Sequence, residues 1–237
     1  MVEPTPSEAT AVEPADPPAE RDGRSSSRRG PATREAIHET ALELFARLGY
    51  HATSMRAIAS AARIQPAAIY HWYSSKEAIL VQLQDDFMEQ LTEKVVAAMA
   101  LQDRPALRLA AAVREHVVFH GLHTRSAFVT DSEIRALTDG PRRALIAKRD
   151  EYQRMFSEMI RDGIRDGSLR TPDVHVATYA ILLQCTGVAL WFDASGPLSL
   201  DEVAELHVEL VLSSLQAPGE LIAAAIESGR VAGGAAG

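Results

Sequence analysis

Residues 52–80 read ATSMRAIASAARIQPAAIYHWYSSKEAIL, and this stretch decides the fold. Thr53 or Ser54 is suited to cap a short helix carrying Ile58, Ala59 and Ala62, because a hydroxyl oxygen there accepts from the free N–H groups of a first turn. Residues 63–65 interrupt the pattern, and Pro66 then stands at the first position of a second short helix, about 66–72, where the missing N–H costs nothing. Ser74 or Ser75 caps a longer helix with Ile79, Leu80, Leu83, Phe87, Leu91 and Val95 on its apolar side. Two short helices across a tight turn, backed by longer ones, make a helix-turn-helix unit, whose second helix fits the major groove of DNA.

Outward from this core the pattern stays helical. Ile37, Ala41, Leu44, Phe45 and Leu48 mark one face of a preceding helix, and Gly49 ends it where a left-handed residue is needed. Further helices are predicted near 104–121, 141–167, 173–193 and 199–216, separated by Pro and Gly. No run of alternating strand residues stands out, so the expected fold class is all-α. Residues 1–30 are read as a Pro/Ala-rich acidic stretch followed by a basic arm, without packed structure. A helix-turn-helix DNA-binding domain then spans 31–76, a helical effector-binding and dimerisation domain 77–216, and a C-terminal tail 217–237, its Gly/Ala-rich end frayed.

The net charge of −8 over 237 residues hides a partition. Residues 1–20 carry five acids and no Lys or Arg; residues 21–76 sum to +5 and residues 77–237 to −8. A basic island beside an acidic body suits a DNA-binding head on a self-associating body, although uneven charge also arises by chance. The apolar stretches read as too short to cross a bilayer, and the acidic, Pro-rich start is unlike a secretory signal. One cysteine, Cys185, excludes an internal disulfide framework and a Cys-rich zinc site. A cytoplasmic protein is expected.

Residues 33–80 resemble the DNA-binding domain of the TetR family: a Thr-x-x-x-Ile-Ala core, a turn, a Tyr-His-aromatic-aromatic run and Ser-Lys-Glu. The resemblance implies that Thr53 and Arg56 contact phosphates and that Gln65, Pro66 and Ala67 open the recognition helix. It further implies that Tyr70 and His71 meet the backbone at the groove wall and that Lys76 clamps a phosphate. Such contacts set register and affinity, while base-edge contacts choose the sequence. Two positions depart from the family pattern: Arg63 stands where Gly is usual, and Gln65 where a capping Ser or Thr is usual. An alternative for Tyr70, His71, Trp72 and Tyr73 is an aromatic core cluster. Ile69, Trp72 and Tyr73 are expected to pack on Phe45 and Ile58, but consecutive ring residues cannot all face inward on one helix. Arg21, Arg24, Arg28 and Arg29 form either a minor-groove arm or a solvated linker.

In the body, YAILLQCTGVALWF (179–192) and then Val203, Leu206, Leu210, Val211 and Leu215 are more apolar than one buried face requires. The resemblance implies that the helices near 173–193 and 199–216 pair with their copies in a homodimer, with Gly187 and Ala189 permitting close approach. An internal core helix is the alternative, though two heads on a palindromic double-stranded operator favour the dimer. Residues 129–156 and 191–205 resemble a subgroup regulating fatty-acid and steroid catabolism. This implies a small apolar or acyl effector, acyl-CoA esters among them. Pocket candidates by helix position are Phe119, Phe128, Arg149, Tyr152, Tyr179, Leu183 and Trp191, for each of which ordinary core packing is an equal reading. A CoA phosphate needs cations; 174–192 has no Lys or Arg, and Arg135, Arg142, Arg143 and Arg149 either serve instead or only balance nearby acids.

Three other readings compete. One is a DNA-binding protein with a filled core and no sensor. A remote one is a metal-dependent enzyme using His116 and His120, at i and i+4 with His123 at i+7, and Asp131 as a third ligand. Against an enzyme, the chain lacks a phosphate loop, a Gly-x-Ser-x-Gly elbow and a dinucleotide fingerprint; no catalytic residue, metal or cofactor is expected. Cys185, without a basic neighbour in sequence, reads as a small hydrophobe rather than a redox switch.

Overall fold

The computed structural model describes residues 26–234, and among them every regular element is helical. The head comprises α1 (Ser26–Leu48), α2 (Met55–Ala61) and α3 (Pro66–Trp72). The apolar face of α1 is buried through Ile37, Ala41, Leu44 and Phe45, whereas Leu48 is half exposed. Gly49, at φ +83°, closes the helix, its N–H donating to Phe45 O at 3.0 Å. Ser54 caps α2 by accepting from Ala57 N. Arg63 does adopt the left-handed conformation, at φ +56°. That leaves about 1 kcal/mol of backbone strain which glycine would not carry. Gln65 precedes α3 without a side-chain capping bond.

From the head runs α4 (Lys76–Ala100), capped by Ser75, which links head to body. The body continues with α5 (Pro105–Leu122), α6 (Thr124–Ser132), a 3-10 turn (Glu133–Ala136) and α7 (Asp139–Arg165). Then come α8 (Val174–Thr186), α9 (Val188–Trp191), α10 (Leu200–Ser214) and α11 (Gly219–Gly234). At the centre α5 packs on α4, α7, α8, α10 and α11. Its Leu109, Ala112, Val113, His116, Val117 and His120 are therefore all buried. Gly121 lets α5 meet the start of α10: a Cβ there would lie 2.3 Å from Leu200 Cδ1.

Four expectations need correction. Helix α1 begins at Ser26, inside the stretch read as a linker arm, because a strongly patterned helix propagates outward at one bond per residue. Arg21 and Arg24 lie outside the described residues. The segment read as a tail forms α11, which buries Leu221 and Ala225 against the body and is anchored by Arg230 on Glu205 at 2.7 Å. The predicted helix 173–193 is two helices, α8 and α9, divided at Gly187. Finally, Val174–Trp191 is long and apolar enough to span a bilayer by length and composition, with mean hydropathy 1.4. That span is interrupted at Gly187, and its apolar residues are largely uncovered within one chain.

Helix α6, which the sequence pattern did not reveal, holds the head on the body. It packs against α1, α4 and α9. Two hydrogen bonds reinforce this junction: Tyr50 N–H donates to Glu133 Oε1 at 3.3 Å, and Thr138 N–H to Glu77 Oε1 at 2.6 Å.

Candidate nucleic-acid interface and effector cleft

The recognition helix turns one side inward and the rest outward. Ile69 is fully buried and Tyr73 nearly so, while Gln65, Pro66, Ala67, Tyr70 and His71 are exposed, Tyr70 at 55%. Trp72, expected in the core, is instead 37% exposed, its ring edge-on to His71 at 5.5 Å. One turn of helix offers room for only one of these rings inside, and Ile69 with Tyr73 fills it. Arg56 and Arg63 are exposed on the same unit and take part in no ion pair among the described residues. Proline and two alanines at the leading end allow backbone and base edges to approach closely.

Two residues assigned to phosphates are occupied elsewhere. Thr53 is only 2% exposed, and its hydroxyl donates to Gly49 O at 2.9 Å and lies 3.4 Å from Leu44 O. The Lys76 ammonium donates to Tyr50 O at 2.7 Å and Thr53 O at 2.8 Å, and sits 4.1 Å over the Tyr50 ring. Burial lowers its pKa and the Glu133 carboxylate partly restores it. Both residues therefore fasten the loop between α1 and α2, and so position Arg56 and α3. Their residue types were legible in the sequence; the direction of their polar atoms was not.

The body presents a cleft of about 650 Å³ between α4 and α7. Met88, Val96, Tyr152 and Met155 give it an apolar floor; Glu89, Glu93, Glu151 and Glu158 surround Lys148 and Arg154 at its rim. Lys148 is already committed to Asp85 at 2.7 Å and Glu89 at 3.0 Å. Of the pocket residues read from the sequence, Tyr152 lines this cleft. Phe119 packs in the core on Phe87, and Arg149 donates to Thr130 O and Asp131, each at 2.9 Å. Phe128 is exposed beside them on α6. Tyr179, Leu183 and Trp191 face outward, Leu183 at 77%, in company with Val176, Leu190, Leu206 and Leu210. An apolar side chain satisfies a cavity wall and an uncovered helix face equally, so the sequence does not separate the two.

Behind the cleft lies a polar cluster. Tyr152 Oη is 2.8 Å from His116 Nδ1, and His116 Nε2 is 3.1 Å from Thr186 Oγ1. His116 and His120 stack with ring centroids 4.1 Å apart, and His120 Nδ1 reaches His116 O at 2.9 Å. Burial, then the neighbouring His120 and His207, hold the His116 pKa well below the ordinary value; burial likewise lowers His120. With both His116 nitrogens engaged and Asp131 paired to Arg149, the metal-ligand reading fails. Among the described residues no group of His, Cys, Asp and Glu is arranged to hold a metal. Cys185 is buried, and burial pushes its thiol up to about 12, as expected of a packing residue.

An exposed second helix on a helix-turn-helix head, flanked by the outward Arg56 and Arg63 and carried by a helical body, defines a DNA-binding transcriptional regulator. Comparison with known proteins makes the class specific. Residues 37–83 match the domain described as bacterial regulatory proteins, tetR family, and residues 102–215 match the tetracyclin repressor-like C-terminal domain. The chain belongs to the TetR family. A transcriptional repressor of Mycolicibacterium smegmatis, KstR2, is 29% identical over 187 residues, covering 77% of this chain and 90% of its own length. The crystal structure of PfmR from Thermus thermophilus superposes with TM-score 0.69 at 30% identity, covering 76% of this chain and 98% of that one. AibR in complex with isovaleryl coenzyme A and operator DNA gives TM-score 0.70 at 26% identity, covering 75% and 97%. Helix α11 follows the matched domain.

Proposed function

We propose that this chain is a homodimeric repressor that reads a palindromic double-stranded operator with α3 and leaves it when a small apolar or acyl effector enters the α4–α7 cleft. The observation that carries the reading is the division of labour in the head: Thr53, Lys76, Ile69 and Tyr73 are spent on internal contacts, leaving Gln65, Pro66, Ala67, Tyr70, His71 and Arg56 outward. The apolar faces of α8, α9 and α10 supply the second requirement. Val176, Leu183, Leu206 and Leu210 recur at helical spacing without cover, as two copies packing through a two-fold axis need. Such a dimer sets two recognition helices about one DNA turn apart, roughly 34 Å.

The cleft supports a sensor over a constitutive DNA binder. Its α7 wall carries Arg149, which grips α6, and α6 packs against α1 of the head. A ligand spreading α4 from α7 would therefore move the head, provided it binds the spread state more tightly. AibR, which was solved in complex with isovaleryl coenzyme A, favours an acyl-CoA ester as effector. The cleft itself favours the acyl portion, since carboxylates outnumber cations at its rim and Lys148 is already paired. Purified protein is expected to be stabilised by an acyl-CoA ester by about 2.7 kcal/mol at a hundredfold excess over its dissociation constant. Met155→Trp, which fills the cleft, should abolish that shift and the release from DNA while leaving operator binding intact. Equal shifts in wild type and Met155→Trp would remove the cleft from the account.

A further inference from the structure

The recognition helix ends at Tyr73, whose N–H donates to Ile69 O at 2.9 Å. Its buried hydroxyl meets two residues of α1. Arg34 Nε donates to it at 3.1 Å, and it is hydrogen-bonded to His38 Nε2. On the other edge of the same imidazole, His38 Nδ1 lies 3.6 Å from Asp86 Oδ2, on α4. Asp86 is oriented in turn by Gln82 Nε2, which donates to Oδ1 at 2.7 Å. The chain Arg34–Tyr73–His38–Asp86 thus joins the end of the reading helix to the helix that enters the body.

One assignment gives every hydrogen an acceptor. Arginine has no acceptor, so Tyr73 Oη accepts from Arg34; the Asp86 carboxylate facing Nδ1 favours a hydrogen on that nitrogen, so that Tyr73 gives its own hydrogen to His38 Nε2. That leaves the neutral imidazole with its hydrogen on Nδ1, aimed at the Asp86 carboxylate. A second proton on His38 would put a donor on Nε2. Tyr73 would then face two donors, its own hydrogen would lose its acceptor, and a cation would form beside Arg34. The charged groups around His38 are Asp86 and Arg34; α2 and α6, also packed on α1, add none. Burial lowers the His38 pKa most, Asp86 raises it and Arg34 lowers it again.

We infer that His38 is a positioning residue for DNA recognition, fixing α3 to α4 through Tyr73 and Asp86, and that this tie loosens when His38 is protonated. The inference rests on α3 being the reading element. Its reach extends to the effector: Asp86 directly follows Asp85, which is bound to Lys148 at the cleft, and precedes Met88 on the cleft floor. Movement of α4 at the cleft is thereby delivered to the end of the recognition helix.

The test compares wild type with Tyr73→Phe and His38→Phe, which keep ring packing but remove the polar chain. The probe is a duplex selected by the wild-type protein from a random pool. At about pH 7.5 Tyr73→Phe should bind it about 2- to 10-fold more weakly, the equivalent of one lost hydrogen bond. The wild-type advantage should shrink as pH falls below the ordinary imidazole range and His38 takes up its second proton, which burial delays to more acid pH. Exposed His71 is common to all three proteins, so the difference between profiles reports His38. Parallel profiles at equal affinity would overturn the inference. So would imidazole nitrogen NMR of the free protein showing His38 protonated on Nε2 at neutral pH. Failure of wild type to select any sequence, with the Nδ1–H tautomer present, would count against the DNA-binding reading instead.

Discussion

Arg56 and Lys76 are both cations of the helix-turn-helix, yet their surroundings give them different work. Arg56 is exposed and forms no ion pair among the described residues, whereas Lys76 spends its ammonium on two carbonyls and an aromatic face. Arg56→Ala should weaken binding to all sequences alike and reduce the slope of log affinity against log salt by about 1. Lys76→Met should instead lower the thermal midpoint of the head, because it leaves the Tyr50 and Thr53 carbonyls without their donor. Arg63 supplies a cleaner stability test: Arg63→Gly should raise unfolding free energy by about 1 kcal/mol in a denaturant titration by relieving the left-handed backbone. If Arg63 also touches phosphate, the same change weakens DNA binding while stabilising the fold.

At the scale of elements, the head was legible because its punctuation is local. Pro66, Ser54, Ser75 and Gly49 each mark a boundary through their own backbone chemistry, and each sits where that chemistry places it. Helices α6 and α11 were not legible. Within α6 only Ala127, Val129 and Thr130 are buried, too few to print a period, and its order comes from contacts with α1 and α4 made far away in sequence. Leu221, Ile222, Ala225 and Ile226 do carry a helical period, but the Gly/Ala-rich end obscured it. The uncovered faces of α8 and α10 make a direct prediction. Leu183→Glu with Leu210→Glu should yield monomers in sedimentation and lose operator binding, since like charges would meet across the two-fold axis. Unchanged dimers would place the interface elsewhere. Helix α5 predicts a pH dependence: His116 and His120 are held neutral by burial, while an unfolded chain takes up their protons near about pH 6.5. Stability is therefore full above that value and declines as pH falls through it; His116→Gln should flatten the decline in thermal midpoint.

For the whole molecule, the charge partition acquires a physical meaning. The basic head approaches a polyanion, and the acidic body with its cleft stays clear of it. Head and body are joined by α4, by the packing of α1 on α4 and α6, and by polar links such as Glu133 to Tyr50 and His38 to Asp86. A junction of this kind lets a small opening of the cleft be felt by the head. The most direct measurement is equilibrium binding of the purified protein to the duplex upstream of its own gene and to a scrambled duplex of equal length. The account predicts that a dimer prefers the upstream duplex by about a thousandfold or more at physiological salt, and that Tyr70→Ala removes most of that preference. Equal affinity for both duplexes, or a preference that survives loss of the exposed α3 side chains, would contradict it.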